Sequence, residues 1–269
     1  MAQIEREIVE FGMDTGPLIK SLVEIKIAPY WQMAENYSKT WSNSGINIAQ
    51  HEAERKILNF NPNGIFILLE PKTGELLGQI YTVPIKAESL PDFIHQFPTY
   101  RKVEEAAKKE FVANPNFVIC FSLNCKPGYY VRKGGEVSAL PKFILQNLPV
   151  PESAYKIGFS FITMKGPSKA SAHSMLSRYR ELVKLEDTRS GGPAMMHEAF
   201  GGIIVAFLPG ARPEHKLAGG GVTLVVYPRN PEEAGYFGKV KENRLTSELP
   251  GEAYGNHLIL KDLDLKLPA

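Results

Sequence analysis

The chain has 269 residues, of which 43% are hydrophobic and 22% charged, so it is neither disordered nor short of core material. With 31 basic and 29 acidic residues, a net charge of +2 gives no electrostatic case for nucleic acid as a partner. Two cysteines, Cys120 and Cys125, exclude a disulfide framework; five positions apart on an extended segment, they face opposite sides and cannot bridge each other.

No run of about 18 apolar residues is present, so neither a transmembrane helix nor a membrane partner is expected. The first residues lack the basic-then-apolar layout of a secretory signal. The expected compartment is the cytoplasm.

In chain order, the first sixty residues read as helical. Ile19, Leu22, Val23 and Ile27 share one helical face, and Pro29 ends or kinks that element. A second helix is expected over 48–60, broken by 61–64. Residues 64–70 and 75–83 are apolar runs around a Pro/Gly turn at 71–74, which predicts a β-hairpin. Residues 88–98 read as irregular and 99–112 as helix. A strand follows at 117–125, then a Gly- and Lys-containing loop over 126–135, then a helix over 137–147. Further expectations are a strand at 154–164, a helix around 173–185, and a short helix at 194–200 stopped by Gly201-Gly202. Strands come next at 203–208 and 222–227. The last forty residues read as polar loop with an edge strand at 256–260. Strands and helices alternate after a hairpin, so the class is α/β (α+β). It predicts a mixed sheet flanked by helices, with a helical N-terminal addition and a long C-terminal tail. The expected organisation is one domain over 1–269, with its core at about 20–230 and the tail at 231–269.

The segment 117–147 carries the most chemistry. A strand runs into a loop of small and basic residues, and a helix starts at once. Free backbone N–H groups and the positive end of the helix dipole suit a phosphate or pyrophosphate. Gly134 and Gly135 let the backbone approach an anion, and Arg132 and Lys133 add charge. Neither a Walker loop nor a G-x-G-x-x-G fingerprint is present.

Arg132-Lys-Gly-Gly135-Glu-Val137, followed by Ser138, resembles the acyl-CoA loop of the GNAT N-acetyltransferase superfamily, with Val137 where the family has a small residue. The hairpin, with Gly74-Glu-Leu-Leu-Gly-Gln-Ile80, is similar to the family's second and third strands. Phe200-Gly-Gly-Ile-Ile-Val205 looks like the end of the family's last helix and its next strand, and the stretch 208–214, Gly219-Gly-Gly-Val222 and Tyr227 look like the tail of its larger members with an Arg-Pro-Glu loop. The resemblance covers roughly residues 20–230. It implies acetyl-CoA as acyl donor and a small-molecule or peptide amine as acceptor. The acceptor amine would attack the thioester directly, without a covalent enzyme intermediate. It also implies that backbone N–H groups at Leu123, Asn124 and Cys125 face the pantetheine and thioester, and that Arg132, Lys133, Gly134, Gly135, Val137 and Ser138 hold the pyrophosphate.

Acyl transfer needs the amine to lose a proton, the oxyanion to find a donor and the thiolate to gain a proton. Family members often use a Tyr on the short last helix as the acid; here that position is His197, an imidazole able to protonate the thiolate or act as a base, and as the acid it is expected to be protonated near a helix C-terminus. Glu70, at the end of the first hairpin strand, is the candidate base. No metal site is expected: there is no H-E-x-x-H and no Cys-x-x-Cys pair. Tyr30, Trp31, Tyr37 and Trp41 cluster on the acceptor side in this reading, or simply pack a core. A homodimer stays open. The alternative function is a non-catalytic acyl-CoA-binding or regulatory module on the same fold.

Overall fold

The computed structural model describes residues 18–21, 64–69, 76–109, 112–125, 144–148, 150–166, 168–186, 190–246, 252–254 and 257–259. The expected helix at 48–60, the turn at 71–74 and the aromatics Tyr30, Trp31, Tyr37 and Trp41 lie outside these. Two compact units emerge, each assembled from three separate stretches of chain: 1–83, 104–111 and 120–150 in the first, and 84–103, 112–119 and 151–269 in the second.

In the first unit, β1 (Leu18–Ser21), β2 (Ile65–Leu69) and β3 (Leu76–Ile85, to residue 83) form an antiparallel ladder. The hairpin is as the apolar alternation predicts, with Ile65 opposite Tyr81 and Phe66 opposite Ile80. The N-terminal helix is corrected at its start. Ile19 lies in β1, where residues 18–21 pair with 66–69. A short apolar run fits either period, and pairing with an apolar strand decided it. Ile65, Leu68, Ile80 and Tyr81 are buried. Thr82 Oγ1 donates 2.7 Å to the Gly64 carbonyl, so its hydroxyl is buried at little cost. Residues 144–147 are helical, at the end of the expected 137–147 helix.

The second unit opens with the end of β3, helix α1 (Leu90–Gln96) and the first four residues of α2 (Tyr100–Ala107, to residue 103). The irregular reading of 88–98 is corrected by α1. Ser89 caps it by accepting from Asp92 N–H, and Pro91 sits in the first turn, where its missing N–H costs nothing. Asn114, at φ 49°, makes the expected break after α2. Strand β4 (Phe117–Cys125) gives its first three residues to this unit. Asn116 couples its neighbours: its N–H reaches the Ile85 carbonyl at 3.1 Å, and its carbonyl accepts from Tyr155 N–H at 2.9 Å.

Beyond lie β5 (Tyr155–Ser160), α3 (Ala172–Lys184), α4 (Pro193–Ala199), β6 (Ile203–Leu208), β7 (Val222–Tyr227), α5 (Pro231–Thr246), β8 (Glu252–Tyr254) and β9 (His257–Ile259). Their order is β5-β7-β6-β9-β8, with each neighbour antiparallel. The C-terminal expectations are corrected twice. The loop-like tail contains α5, whose N-cap Asn230 accepts from Glu233 N–H at 2.9 Å. The expected edge strand is β9, which lies between β6 and β8. Central β6 and β7 are buried along their whole lengths; β6 is an unbroken apolar run, and β7 is one except for Thr223.

One face of β5 packs on α1, with Phe159 against Phe93 at 6.1 Å and Tyr100 at 6.3 Å between ring centroids. Phe93, fully buried, contributes roughly 1.5–3 kcal/mol. The Arg229 guanidinium stacks 3.9 Å over Tyr155 and pairs with Glu233, fastening α5 to β5. Burial and the adjacent Glu233 carboxylate raise the Tyr155 phenol to about 12.

Candidate functional site

The opposite face of β5 carries the site. Helix α4 is seven residues long, opens with Pro193 and buries Ala194, Met195 and Met196. It ends where the sequence predicts: Gly201 takes φ 90°, a value that favours glycine, and the Phe200 N–H closes on the His197 carbonyl at 3.1 Å. A Cβ on Gly202 would come within 2.6 Å of Val225, so the chain passes tight against β7.

This places the His197 ring, half-buried, over β5 at Gly158. A Cβ at 158 would stand 3.4 Å from His197 Cε1 and 3.6 Å from Nδ1, so the bare glycine gives the imidazole a flat bed. Nδ1 lies 2.5 Å from the Tyr227 hydroxyl at the end of β7, and the two rings meet edge to face. Among the described residues Nε2 makes no hydrogen bond.

Burial pushes the His197 imidazole down from 6.5 to about 4. The helix C-terminus favours the cation, but desolvation outweighs it. The expectation of a protonated His197 is therefore corrected: near neutral pH the ring is uncharged. What it offers is one N–H donor and one acceptor.

The next residue is provisioned differently. The Glu198 carboxylate accepts from the Tyr179 hydroxyl at 2.7 and 2.8 Å, from Ile204 N–H at 3.3 Å, and pairs with Lys241 of α5 at 2.8 Å. Its side chain is 4% exposed. Sequence reasoning missed Glu198, Tyr179 and Lys241. The one local signal was a carboxylate set between Met196 and Phe200 on a short apolar helix. A second imidazole, His215, packs against Phe161 at 4.0 Å between centroids, and burial and Arg212 lower its pKa.

Of the other residues marked in the sequence, Leu123, Asn124 and Cys125 lie at the C-terminal end of β4, in the first unit, with Leu123 half-buried. Arg132, Lys133, Gly134, Gly135, Val137, Ser138 and Glu70 lie outside the described residues. Among the described residues, no group of three His, Cys, Asp or Glu could hold a metal ion, and no helix is long and apolar enough to cross a membrane.

Neither a protein-family model nor a curated protein matches the sequence. Solved structures do. The loading GNATL domain of CurA from Lyngbya majuscula is similar at 17% identity and a TM-score of 0.52, over 79% of this chain and 98% of that one. The GphF GNAT-like decarboxylase in complex with isobutyryl-CoA is similar at 16% identity and a TM-score of 0.50, over 79% of this chain and all of that one. The chain has a GNAT-like fold. At these identities the fold is what is shared. The mixed sheet flanked by helices, expected from the alternating elements, is the GNAT-like arrangement.

Proposed function

We propose that this protein is an acyl-CoA-dependent enzyme that works on the thioester carbonyl, and that it transfers the acyl group, acetyl in the simplest case, to an amine. The observation that supports this most is the neutral, desolvated His197 imidazole, laid on Gly158 and hydrogen-bonded through Nδ1, within a GNAT-like fold. A neutral ring with pKa about 4 is a weak base. It is a good fixed donor, because charge developing on a thioester oxygen in a dry site gains most from a pre-placed N–H. With the Tyr227 hydroxyl donating to Nδ1, the N–H sits on Nε2, aimed away from the tyrosine. The acceptor nitrogen then attacks the carbonyl carbon, His197 Nε2–H steadies the oxyanion, the C–S bond breaks, and the amine's proton ends on the CoA thiol.

The pyrophosphate role of Arg132, Lys133, Gly134, Gly135, Val137 and Ser138, the thioester-facing role of Leu123, Asn124 and Cys125, and Glu70 as the base stay part of the proposal. Gly135→Asp tests the loop: added bulk and negative charge should weaken CoA binding strongly in calorimetry. Equal affinity in both proteins removes the assignment.

A second reading is favoured by the same neutral imidazole, and GphF is described as a decarboxylase. In a carboxyacyl-CoA, breakage of the bond to the carboxylate releases CO2 and leaves its electron pair as an enolate on the thioester oxygen. The same Nε2–H would steady that oxygen, and the α-carbon would then take up a proton. Mass spectrometry separates the readings. Acetyl-CoA with a panel of amines should give free thiol and acylated amine; a carboxyacyl-CoA without amine should lose CO2 with its thioester intact. Binding of CoA thioesters with neither product would leave the non-catalytic module.

A further inference from the structure

We propose that the hydroxyls of Ser160 and Thr223 form a buried two-point site that holds one water molecule between β5 and β7, on the sheet face that carries His197. Ser160 is 6% exposed and Thr223 fully buried, and among the described residues neither side-chain oxygen has a hydrogen-bond partner. Their register makes them direct cross-strand partners. Opposed residues on an antiparallel pair have Cβ atoms about 4.5–5.5 Å apart, a gap that one water spans with a normal bond of about 2.8 Å to each oxygen.

The face follows from the pleat. Gly158, two residues before Ser160, lies under the His197 ring, so Ser160 shares its side of the sheet. On β7, Val225 and Tyr227 continue the same face beyond Thr223, opposite Gly158 and Lys156. Leaving two adjacent buried hydroxyls unmade costs more than a made bond gains. A hydroxyl both donates and accepts, so the pair offers a water the partners it needs. The ligand is neutral and small, because the flanking positions carry core side chains: Phe207 opposite Thr223 on β6, and Met175 against Gly221. This site does not depend on the reaction proposed above.

The test is a double-mutant cycle on the intact protein, with Ser160→Ala, Thr223→Val and both together, read as the thermal midpoint. One shared water predicts that each single change lowers the midpoint by about 2–4 °C and that the double variant falls no further than the worse single one. A rise or no change in Thr223→Val, which keeps the shape and removes only the hydroxyl, overturns the proposal. So do losses that add, because they mean separate partners. If a variant does not fold, a high-resolution crystal structure of the wild type decides: density within hydrogen-bond reach of both oxygens supports the site, and its absence overturns it.

Discussion

His197 and Glu198 are neighbours on one short helix, and each meets a tyrosine, yet the protein treats them in opposite ways. Glu198 receives a tyrosine hydroxyl, a backbone N–H and a lysine from a helix 43 residues on. His197 receives one hydroxyl and a glycine bed, and burial strips its charge. A buried ion with all its partners supplied holds α3, α4, α5 and β6 together and has little left to give a substrate. A half-buried neutral ring with a spare N–H is what a reacting oxygen needs. The contrast assigns structure to one residue and chemistry to the other.

The sharpest way to break it is Glu198→Ala. Tyr179 would keep a buried hydroxyl with its acceptor gone, and Lys241 would lose its counter-ion. Because the Lys241 side chain is 33% exposed and stays solvated, the cost is that of the lost bonds to the charged carboxylate, about 1.5–3 kcal/mol, which urea unfolding measures directly. A loss under about 1 kcal/mol would mean that the Glu198 cluster is not the fastening it looks like.

His197→Ala should do the reverse. As an oxyanion donor His197 is worth about 10²–10³-fold in turnover, with small effects on unfolding and on CoA affinity. Turnover within about threefold of wild type would remove the catalytic role, whichever thioester reaction the protein runs.

The comparison also shows what the sequence could and could not reveal. The hairpin, β4 to β7, α3 and α4 were legible because periodicity and punctuation are local, as in the capping box of Ser171 and Ser174 or the Gly201-Gly202 stop. Helix α1 was legible in principle, through Ser89, Pro91 and Asp92, but a proline inside the run reads first as a breaker. Helix α5 was masked by Gly235 and Gly238, although Asn230, Pro231 and two glutamates mark its start. The site divided the same way. The position of His197 followed from a resemblance, whereas its charge state depends on β5 and β7 closing over it. Tyr227 and Lys241 reach α4 across 30 and 43 residues, and no local pattern encodes such contacts.

Acid should act through the His197 side of the comparison. In the unfolded chain the imidazole takes its proton near 6.5, and in the folded chain only near 4. Between those values the unfolded state binds more protons, so stability is full above about pH 6.5 and falls as pH drops toward 4. At about 1.4 kcal/mol per pH unit the loss reaches at most ~3.5 kcal/mol. His215, lowered in the same direction, adds to it. Urea titrations at pH 7, 5.5 and 4 should show this slope, shallower in His197→Gln. An identical slope in that variant would place the acid sensitivity elsewhere.

The mildest and most specific change is Tyr227→Phe. It removes one oxygen and keeps the ring that packs edge to face on His197. A histidine left without that hydroxyl loses the bond that fixes which nitrogen carries the proton, worth about 0.5–1.5 kcal/mol. Turnover should fall roughly tenfold with little change in KM, since the tyrosine acts through His197 and not on the substrate. Nitrogen-15 shifts of the His197 ring give a readout that packing alone would not move. Wild type should show the proton on Nε2, and Tyr227→Phe a mixture of both forms. A proton on Nδ1 in the wild type would reverse the hydrogen bond. His197 Nε2 would then be an acceptor, and the ring would have to act by taking a proton instead of steadying an oxyanion.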